Sequence, residues 1–320
     1  MSSAIRLQDI SKRFRSGFLI REIRALASVT FDVNRGEIFG FLGPNGAGKT
    51  TAMKILMGLT RATGGTCSIL GEHPESAGVK RRIGFLPESP YFYDHLTARE
   101  ILELSADLCG MPRSTKRKRI DDMLETVRMT AAQHGRLGKF SRGMLQRVGI
   151  AQALLHDPEL VVLDEPMGGL DPIGRKEFRD IILGLRDAGK TVFFSTHILQ
   201  DVELICDRVG ILVAGRLVSL GRLDAILSEE VEAVELTFRC ADGEMLRRSG
   251  IELISLVSGE GKVMAVVRTE EAAASLLSFV TGHGGHVISM APRTRTLEDY
   301  FVGQVLTAQQ TGGPTCESGR

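Results

Sequence analysis

Apolar residues follow two different spacings along the first 220 residues. Residues 5–10 and 27–33 alternate between apolar and polar side chains, which predicts half-buried strands. Ile38–Leu42 is apolar apart from one glycine, which predicts a fully buried strand. Residues 50–59 and Ala98–Leu108 carry apolar side chains three to four positions apart, and this spacing predicts helices.

Strand and helix patterns continue to interleave further along this part of the chain. Leu160–Leu163 and residues 191–195 predict buried strands, whereas residues 119–127 and 176–185 predict helices. This alternation is typical of an α/β fold with a mostly parallel sheet and helices on both of its faces. Residues 113–119 include five basic side chains and predict a solvated loop and helix start, with contact to lipid headgroups or RNA as the alternative.

A second, smaller unit is predicted for residues 221–305. Its pattern predicts strands at residues 234–239, 251–257, 263–268 and 286–290, and a helix at 270–281. This order indicates a small α+β domain. Residues 306–320 are polar and include Gly and Pro, so we expect a flexible tail there.

Composition narrows the functional classes. Lys and Arg number 40 and Asp and Glu number 39, a balance that argues against an overall basic nucleic-acid-binding protein, so no nucleic-acid partner is expected. The five cysteines are scattered and lack metal-ligand spacing, which indicates reduced thiols in the cytoplasm. We expect neither a signal peptide nor a membrane-spanning helix, because no apolar run approaches the roughly 18 residues that a span needs.

A glycine-rich segment between the strand at Ile38–Leu42 and the following helix has the pattern G-x-x-x-x-G-K-[ST]. Its glycines let backbone N–H groups turn toward a phosphate, and the helix N-terminus adds a positive dipole end. Lys49 is placed to reach the β- and γ-phosphates, and the Thr50 hydroxyl is placed to bind Mg²⁺. The predicted phosphate-binding residues are Gly43, Pro44, Asn45, Gly46, Ala47, Gly48, Lys49, Thr50 and Thr51.

A phosphate loop of this kind needs an acidic residue at the end of a second strand to hold the metal. Asp164 and Glu165 follow directly after Leu160–Leu163. We expect Asp164 to hold Mg²⁺, directly or through water. Glu165 is the candidate general base that accepts a proton from the water attacking the γ-phosphate.

The order of further motifs resembles the nucleotide-binding subunit of ATP-binding cassette (ABC) transporters over about residues 4–220. Residues 140–147, Phe-Ser-Arg-Gly-Met-Leu-Gln-Arg, are similar to the family's signature motif, which is usually LSGGQ followed by x-Q-R. Ser141 and Gly143 match this motif, whereas Arg142 and Met144 replace a glycine and a glutamine. The variant is similar to the branch whose permeases are of the mostly exporting ABC-2 type.

This resemblance implies roles for several residues. Ser141 and Gly143 bind the γ-phosphate held by the other subunit of a head-to-tail dimer, and Asp171 of a D-loop-like segment reaches across it. His197 resembles the switch histidine, which contacts the γ-phosphate and orients the catalytic water. Phe14 stands where the family places an aromatic ring that stacks on adenine; a strand-end residue of the core is the alternative.

One position departs from the family pattern. Glu88 stands where the Q-loop normally has a glutamine that touches Mg²⁺, and its carboxylate is a further candidate metal ligand. The resemblance also implies that a helical subdomain at about residues 88–142 docks the permease. The aromatic segment Tyr91-Phe92-Tyr93 is either a contact with the permease or part of the subdomain core.

The resemblance implies a P-loop NTPase cassette at residues 1–220, with a mostly parallel sheet and an antiparallel β edge. The implied function is an ATP-binding and ATP-hydrolysing subunit with Mg²⁺, which powers a separate polytopic ABC-2 type permease for export. We expect it on the cytoplasmic side of the membrane, held there by the permease.

Other cassette ATPases are the competing class. A single-cassette ATPase that drives a mechanical change in a membrane or envelope complex stays open. Translation factors of this class need two cassettes, and the repair type inserts a long coiled coil before the signature, for which this chain has no room. A small-molecule kinase is disfavoured by the signature and D-loop segments.

Overall fold

The computed structural model describes residues 3–16, 21–227, 231–239, 246, 249–259, 261–294 and 296–311. It divides into two compact units. The first comprises Met1–Leu223 and Gln304–Arg320, and the second comprises Asp224–Gly303. The boundary lies three residues beyond the one expected from the sequence, because residues up to Arg222 still belong to a strand of the first unit.

The first unit opens with a three-stranded antiparallel sheet. Its strands are β1 (Ser3–Ser16), β2 (Arg21–Asn34) and β4 (Gly64–Ile69), in the order β2-β1-β4. Both early strands are longer than the alternating stretches predicted from the sequence. Their inward side chains, such as Ile5, Leu7 and Val29, are fully buried, so one sheet face forms core, as the alternation predicts.

A six-stranded sheet forms the centre of the first unit. Its strands are β3 (Ile38–Leu42), β5 (Ile83–Leu86), β6 (Leu160–Leu163), β7 (Thr191–Thr196), β8 (Arg208–Val213) and β9 (Arg216–Arg222). They lie in the order β5-β6-β7-β3-β8-β9, and all neighbouring pairs are parallel except β8-β9. Every residue of β3, β6 and β7 is buried, which explains the continuous apolar run of β6 and the apolar centres of β3 and β7.

Helices follow these strands. They are α1 (Lys49–Leu56), α2 (Ala77–Lys80), α3 (Ala98–Leu108), α4 (Arg113–Thr126), α5 (Arg142–Leu154), α6 (Pro172–Asp187) and α7 (Leu199–Ile205). Helix α4 already begins at Arg113, so the expected loop at the start of the basic stretch is helical instead. Its apolar face begins only at Ile120, which is why periodicity missed the first two turns.

The second unit is a four-stranded antiparallel sheet with a helix packed on it. After the short α8 (Leu223–Ile226) come β10 (Val231–Arg239), β11 (Leu253–Gly259), β12 (Lys262–Val267), α9 (Glu270–Gly282), β13 (His286–Thr294) and α10 (Leu297–Thr311). The strand order is β11-β12-β10-β13. Leu236, Phe238 and Leu276 are fully buried in its own core. Helix α10 begins in this unit, and its residues from Gln304 onward belong to the first unit.

The last helix enters the segment expected to be a tail. Helix α10 continues to Thr311, so residues 306–311 are helical, and 312–320 lie outside the described residues. Among the helices that the structure describes, none is long and apolar enough to cross a membrane.

Candidate functional site

The glycine-rich segment forms a tight turn between β3 and α1. A Cβ atom on Gly43 would lie 2.3 Å from the carbonyl oxygen of Leu212, and one on Gly48 would lie 2.4 Å from that of Ala25. Gly48 also has a φ of 110°, a left-handed conformation that glycine tolerates best. The loop therefore packs directly on neighbouring backbone, and its N–H groups precede the positive end of α1.

Lys49 is held inside this turn. Its ammonium donates to the carbonyl oxygens of Gly43 at 2.6 Å and Pro44 at 3.3 Å. The same Nζ atom lies 3.2 Å from Oε1 of Glu165, and both side chains are at least nine-tenths buried. The structure thus brings the predicted phosphate-binding lysine and the predicted general base into direct contact.

The acidic pair stands at the carboxyl end of β6, two strands from β3 in the sheet. Asp164 accepts a 2.6 Å hydrogen bond from the Ser195 hydroxyl. The same hydroxyl oxygen accepts the backbone N–H of Glu165 at 2.9 Å. Glu165 has a φ of 49°, which is uncommon for a residue with a side chain, and both acidic residues are buried.

His197 follows β7 and reaches the same carboxylate. Its Nδ1 atom lies 2.9 Å from Oε2 of Glu165, and about half of the imidazole is exposed. The other oxygen, Oε1, faces Lys49 but accepts no hydrogen bond from the described residues. Glu165 is therefore fixed from two sides and keeps one oxygen available as an acceptor.

A cavity of about 560 Å³ joins these groups. Its walls come from segments that are far apart in sequence. They are residues 23–25 of β2, the phosphate loop at 44–51, Glu88 after β5, and a wall formed by Arg142, Glu165, Gly168, Gly169 and His197. Of the predicted site residues, Asn45, Thr50, Thr51 and Glu88 line this cavity together with Lys49, Glu165 and His197.

Three contributors were not predicted from the sequence. Ser195 holds the acidic pair, although only its neighbour His197 was singled out. Residues 23–25 line the cavity because β2 passes beside the phosphate loop, a contact that no local motif encodes. The Arg142 guanidinium lies against Gly169, 3.1 Å from where a Cβ atom would be. The sequence offered one indication of this role, because Arg142 replaces the glycine that the family's signature motif usually has at this position.

The signature and D-loop segments contribute Arg142, Gly168 and Gly169 to this cavity, but not the three residues predicted to bind the other subunit's nucleotide. Ser141 is the N-cap of α5, where its hydroxyl oxygen accepts the Met144 N–H at 3.3 Å. Asp171 is the N-cap of α6 and accepts the Gly174 N–H at 2.7 Å. Ser141, Gly143 and Asp171 are not among the residues that line the cavity, and Ser141 and Asp171 are exposed.

Phe14 lies in β1 opposite Ile23. Its ring is 42% exposed, and the Lys12 ammonium lies 4.9 Å from the ring centroid. Ile23 lines the cavity, whereas Phe14 itself does not. The Phe14 ring is exposed and lies opposite a residue that lines the cavity, so it is available for stacking on a base. Its role in binding adenine stays a prediction.

The oxygen atoms near the phosphate loop are ligands that suit a hard cation such as Mg²⁺. The Thr50 hydroxyl and the Asp164 carboxylate offer oxygen ligands of the kind that Mg²⁺ takes alongside substrate phosphates and water. Within the part of the chain that the structure describes, no group of three or more His, Cys, Asp or Glu side chains is suited to hold a metal ion.

A phosphate loop after the central strand of a parallel sheet, with an Asp-Glu pair ending a nearby strand, defines a P-loop nucleotide-binding protein. The sequence model of the ABC transporter family matches residues 26–168. An uncharacterised ABC transporter ATP-binding protein of Nostoc sp. is 42% identical, with 95% of this chain and 90% of the relative covered. The bacitracin transport ATP-binding protein BcrA of Bacillus licheniformis is 37% identical, with 94% and 97% covered.

A solved ATP-binding cassette, dimeric in a post-hydrolysis state with ADP and Pi, superposes with a TM-score of 0.64. It is 26% identical, and the match covers 68% of this chain and 98% of that one. The chain belongs to the ABC transporter family as an ATP-binding protein. It is the ATP-binding and ATP-hydrolysing subunit of an ABC transporter, and the relatives favour this function over a mechanical ATPase.

Proposed function

We propose that the cavity beside Lys49 binds ATP and that Glu165 activates the water for hydrolysis. The observation that carries this proposal is the contact of Glu165 with both Lys49 and His197. A triphosphate on the loop competes for the Lys49 ammonium and draws it away from Glu165. The freed oxygen then accepts a proton from water, while His197 orients the carboxylate and meets the γ-phosphate.

The remaining residues of the site bind and position the nucleotide. Residues 43–51 hold its phosphates through backbone N–H groups, and Phe14 stacks on adenine. We propose that Thr50, Asp164 and Glu88 would hold Mg²⁺, which would supply positive charge to offset that of the phosphates. Ser195 keeps Asp164 in place through its 2.6 Å hydrogen bond and is a positioning residue.

A head-to-tail dimer completes the site in this proposal. Ser141, Gly143 and Asp171 are the predicted ligands, and they are not among the residues that line the chain's own cavity. Two subunits arranged head to tail bring these residues to each other's nucleotide. The dimeric state of the solved ADP-bound cassette supports such an arrangement.

The partner proposed for this subunit is a polytopic ABC-2 type permease, with the chain at the cytoplasmic face of the membrane. Tyr91 and Tyr93 are 92% and 55% exposed, whereas Phe92 between them is buried. Two exposed aromatic rings beside Glu88 suit the docking of a permease segment on the helical subdomain, at about residues 88–142. Export as the direction is supported by the similarity to BcrA, which is named for bacitracin transport.

Replacing Glu165 by glutamine tests the catalytic assignment. Glu165→Gln keeps the shape of the side chain but removes its basicity, so we expect kcat for ATP hydrolysis to fall by about 10²–10⁴-fold. ATP binding persists, and the variant accumulates as an ATP-bound dimer in size-exclusion chromatography. Glu103→Gln on α3 is the matched control and leaves kcat unchanged. Normal hydrolysis by Glu165→Gln contradicts the assignment.

Two further measurements separate binding from chemistry and identify the partner. Lys49→Ala removes the cation that meets the phosphates, so we expect loss of ATP binding itself. Affinity purification of the tagged protein from detergent-solubilised membranes of its host identifies what accompanies it. A polytopic permease near 1:1 supports the proposal, whereas recovery with ribosomes or DNA contradicts it.

A further inference from the structure

The first two turns of α4 carry an unusual concentration of positive charge. Arg113, Lys116, Arg117, Lys118 and Arg119 lie there, and this set is called the basic end of α4 below. The acidic residues of the helix, such as Asp121 and Asp122, all follow in its second half.

This distribution opposes the helix dipole. A helix N-terminus carries a positive partial charge, so cations are favoured at the opposite end. The first turn of α4 holds no acidic side chain and its last turn holds no basic one. Arg113 and Arg117 are also like charges four residues apart, a spacing that destabilises a helix. The polarity of α4 is therefore the reverse of the one that helix stability favours.

Neighbouring residues compensate only two of these five cations. The Lys116 ammonium pairs with Asp107 of α3 at 2.6 Å. The Arg119 guanidinium donates to the carbonyl oxygens of Leu154 and Leu155 at the end of α5. Within the described ranges, no hydrogen bond or ion pair engages the side chains of Arg113, Arg117 or Lys118. They remain as three charges that an anionic partner would neutralise.

The basic end of α4 borders a surface hollow of about 750 Å³. Arg113, Lys116 and Arg117 line it together with Arg99 and His134, and Glu103 is the acidic residue of its wall. Two exposed apolar side chains lie in the second half of α3, the helix that also carries Arg99 and Glu103 of this hollow. Leu108 is 80% exposed and Leu104 is 39% exposed. Cations beside exposed leucines are the combination that binds the interface of an anionic membrane.

We propose that the basic end of α4, with Leu104 and Leu108, binds anionic phospholipid headgroups of the membrane. A permease-bound ATPase is held within reach of that surface, so the inference rests on the proposed location. RNA fits less well, because single-stranded RNA is bound largely by stacking on aromatic rings, and His134 is the one ring among the residues named here. The contact gives the subunit a second attachment to the membrane, independent of the permease.

Sedimentation with phospholipid vesicles tests this inference on the full-length protein. Vesicles of phosphatidylcholine are compared with vesicles that also contain phosphatidylglycerol, at low and at high salt. We expect binding to the anionic vesicles alone, with weakening at high salt. The triple variant Arg113→Gln, Arg117→Gln and Lys118→Gln loses about tenfold or more in apparent affinity, because each cation near an anionic surface contributes substantially.

The control variant is Lys54→Gln, Arg81→Gln and Lys176→Gln. These side chains are exposed and removing them changes the net charge equally, so we expect vesicle affinity within about twofold of the unmodified protein. ATPase activity is measured on the same samples. The three substituted residues lie outside the nucleotide cavity. If the unmodified protein hydrolyses ATP normally but does not bind the anionic vesicles, this inference alone is overturned and the proposed function stays intact.

The unfolding temperature of the triple variant distinguishes lipid binding from a structural role of the three cations. If the cations stabilised the fold, the variant would unfold at a lower temperature. Since the three cations oppose the helix dipole, we expect the triple variant to unfold roughly 1–4 °C higher. A lower unfolding temperature overturns the inference, because the cations would then stabilise the fold. Equal binding to neutral vesicles also overturns it. Unchanged vesicle binding together with loss of the co-purified permease assigns the surface to an acidic permease segment instead.

Discussion

The guanidinium of Arg142 lies over the backbone of Gly169 because that residue has no Cβ and adopts a φ of +75°. Arg142 stands at the first position of α5, directly after Ser141. It lines the cavity that also holds Lys49 and Glu165. A single residue without a side chain therefore sets the position of a cation at the nucleotide site.

Gly169→Ala tests this dependence. The new Cβ would crowd the Arg142 guanidinium and displace it, so we expect kcat/KM for ATP to fall by roughly 3–10-fold. Gly189→Ala is the matched control, because Gly189 has a φ of +76° and open space around it. Both variants lose about 1 kcal/mol of stability from the strained backbone, and only the first is expected to change the kinetics. Equal kinetics for the two contradict a role for Arg142 in the cavity.

Local motifs predicted much of the site, because their residues are close in sequence. The turn around Lys49 and the pair Asp164-Glu165 each lie at a strand end that the apolar pattern already located. Ser195 contacts Asp164 across 31 positions of sequence. Such contacts come from the packing of neighbouring strands, so no spacing in the sequence reveals them. The same holds for residues 23–25, which reach the cavity through the antiparallel sheet.

At the scale of elements, one carboxylate ties together the starts of three strands in the central sheet region. Glu159 directly precedes β6 and accepts hydrogen bonds from Arg82, before β5, at 2.6 and 2.9 Å. Arg35, in the turn before β3, donates to it at 3.0 Å. The hydrogen bonds from Arg82 lower the pKa of Glu159 most, and the hydrogen bond from Arg35 lowers it further, to about 2.

Glu159→Gln tests this ion-pair cluster through its pH dependence. The pKa of Glu159 is lower in the folded protein than its ordinary value of 4.5. Ionised Glu159 therefore stabilises the fold at pH values above 4.5, and this stabilisation is lost as the pH falls toward 2. We expect the variant to be less stable at neutral pH by about 0.5–1 kcal/mol, because the side chain is partly exposed and screened.

Urea unfolding at several pH values gives the result. The stability difference from the unmodified protein narrows as the pH falls below about 4.5. Glu103→Gln, at a carboxylate without an ion pair among the described residues, shows no such narrowing. A difference for Glu159→Gln that stays constant down to acid pH argues against the cluster.

At the scale of the whole molecule, each unit has its own apolar core. Phe193 is fully buried in the first unit, where its ring packs against those of Phe31, Phe39 and Phe41. Phe238 is fully buried in the second unit. Separate cores permit separate unfolding transitions.

Phe238→Ala is expected to lower the stability of the second unit by about 3–5 kcal/mol, because it leaves a cavity in that core. Calorimetry then shows one transition moved to lower temperature, while the transition that ATP stabilises stays in place. Phe193→Ala gives the opposite pattern. If ATP shifts both transitions equally in the Phe238→Ala variant, the two units unfold together and the prediction fails.

Strand β3, which leads into the phosphate loop, pairs in its sheet with β7 and β8. These partners lie about 150 residues further along the chain. During synthesis on the ribosome, at about 5–20 residues per second, the strand waits roughly 7–30 s before its first partner emerges. Phe39 and Phe41 are buried in the finished protein, but in that interval their strand has no partner within its own sheet. The nascent chain thus exposes an unpaired apolar strand early and pairs it late, and unpaired apolar strands favour aggregation during folding.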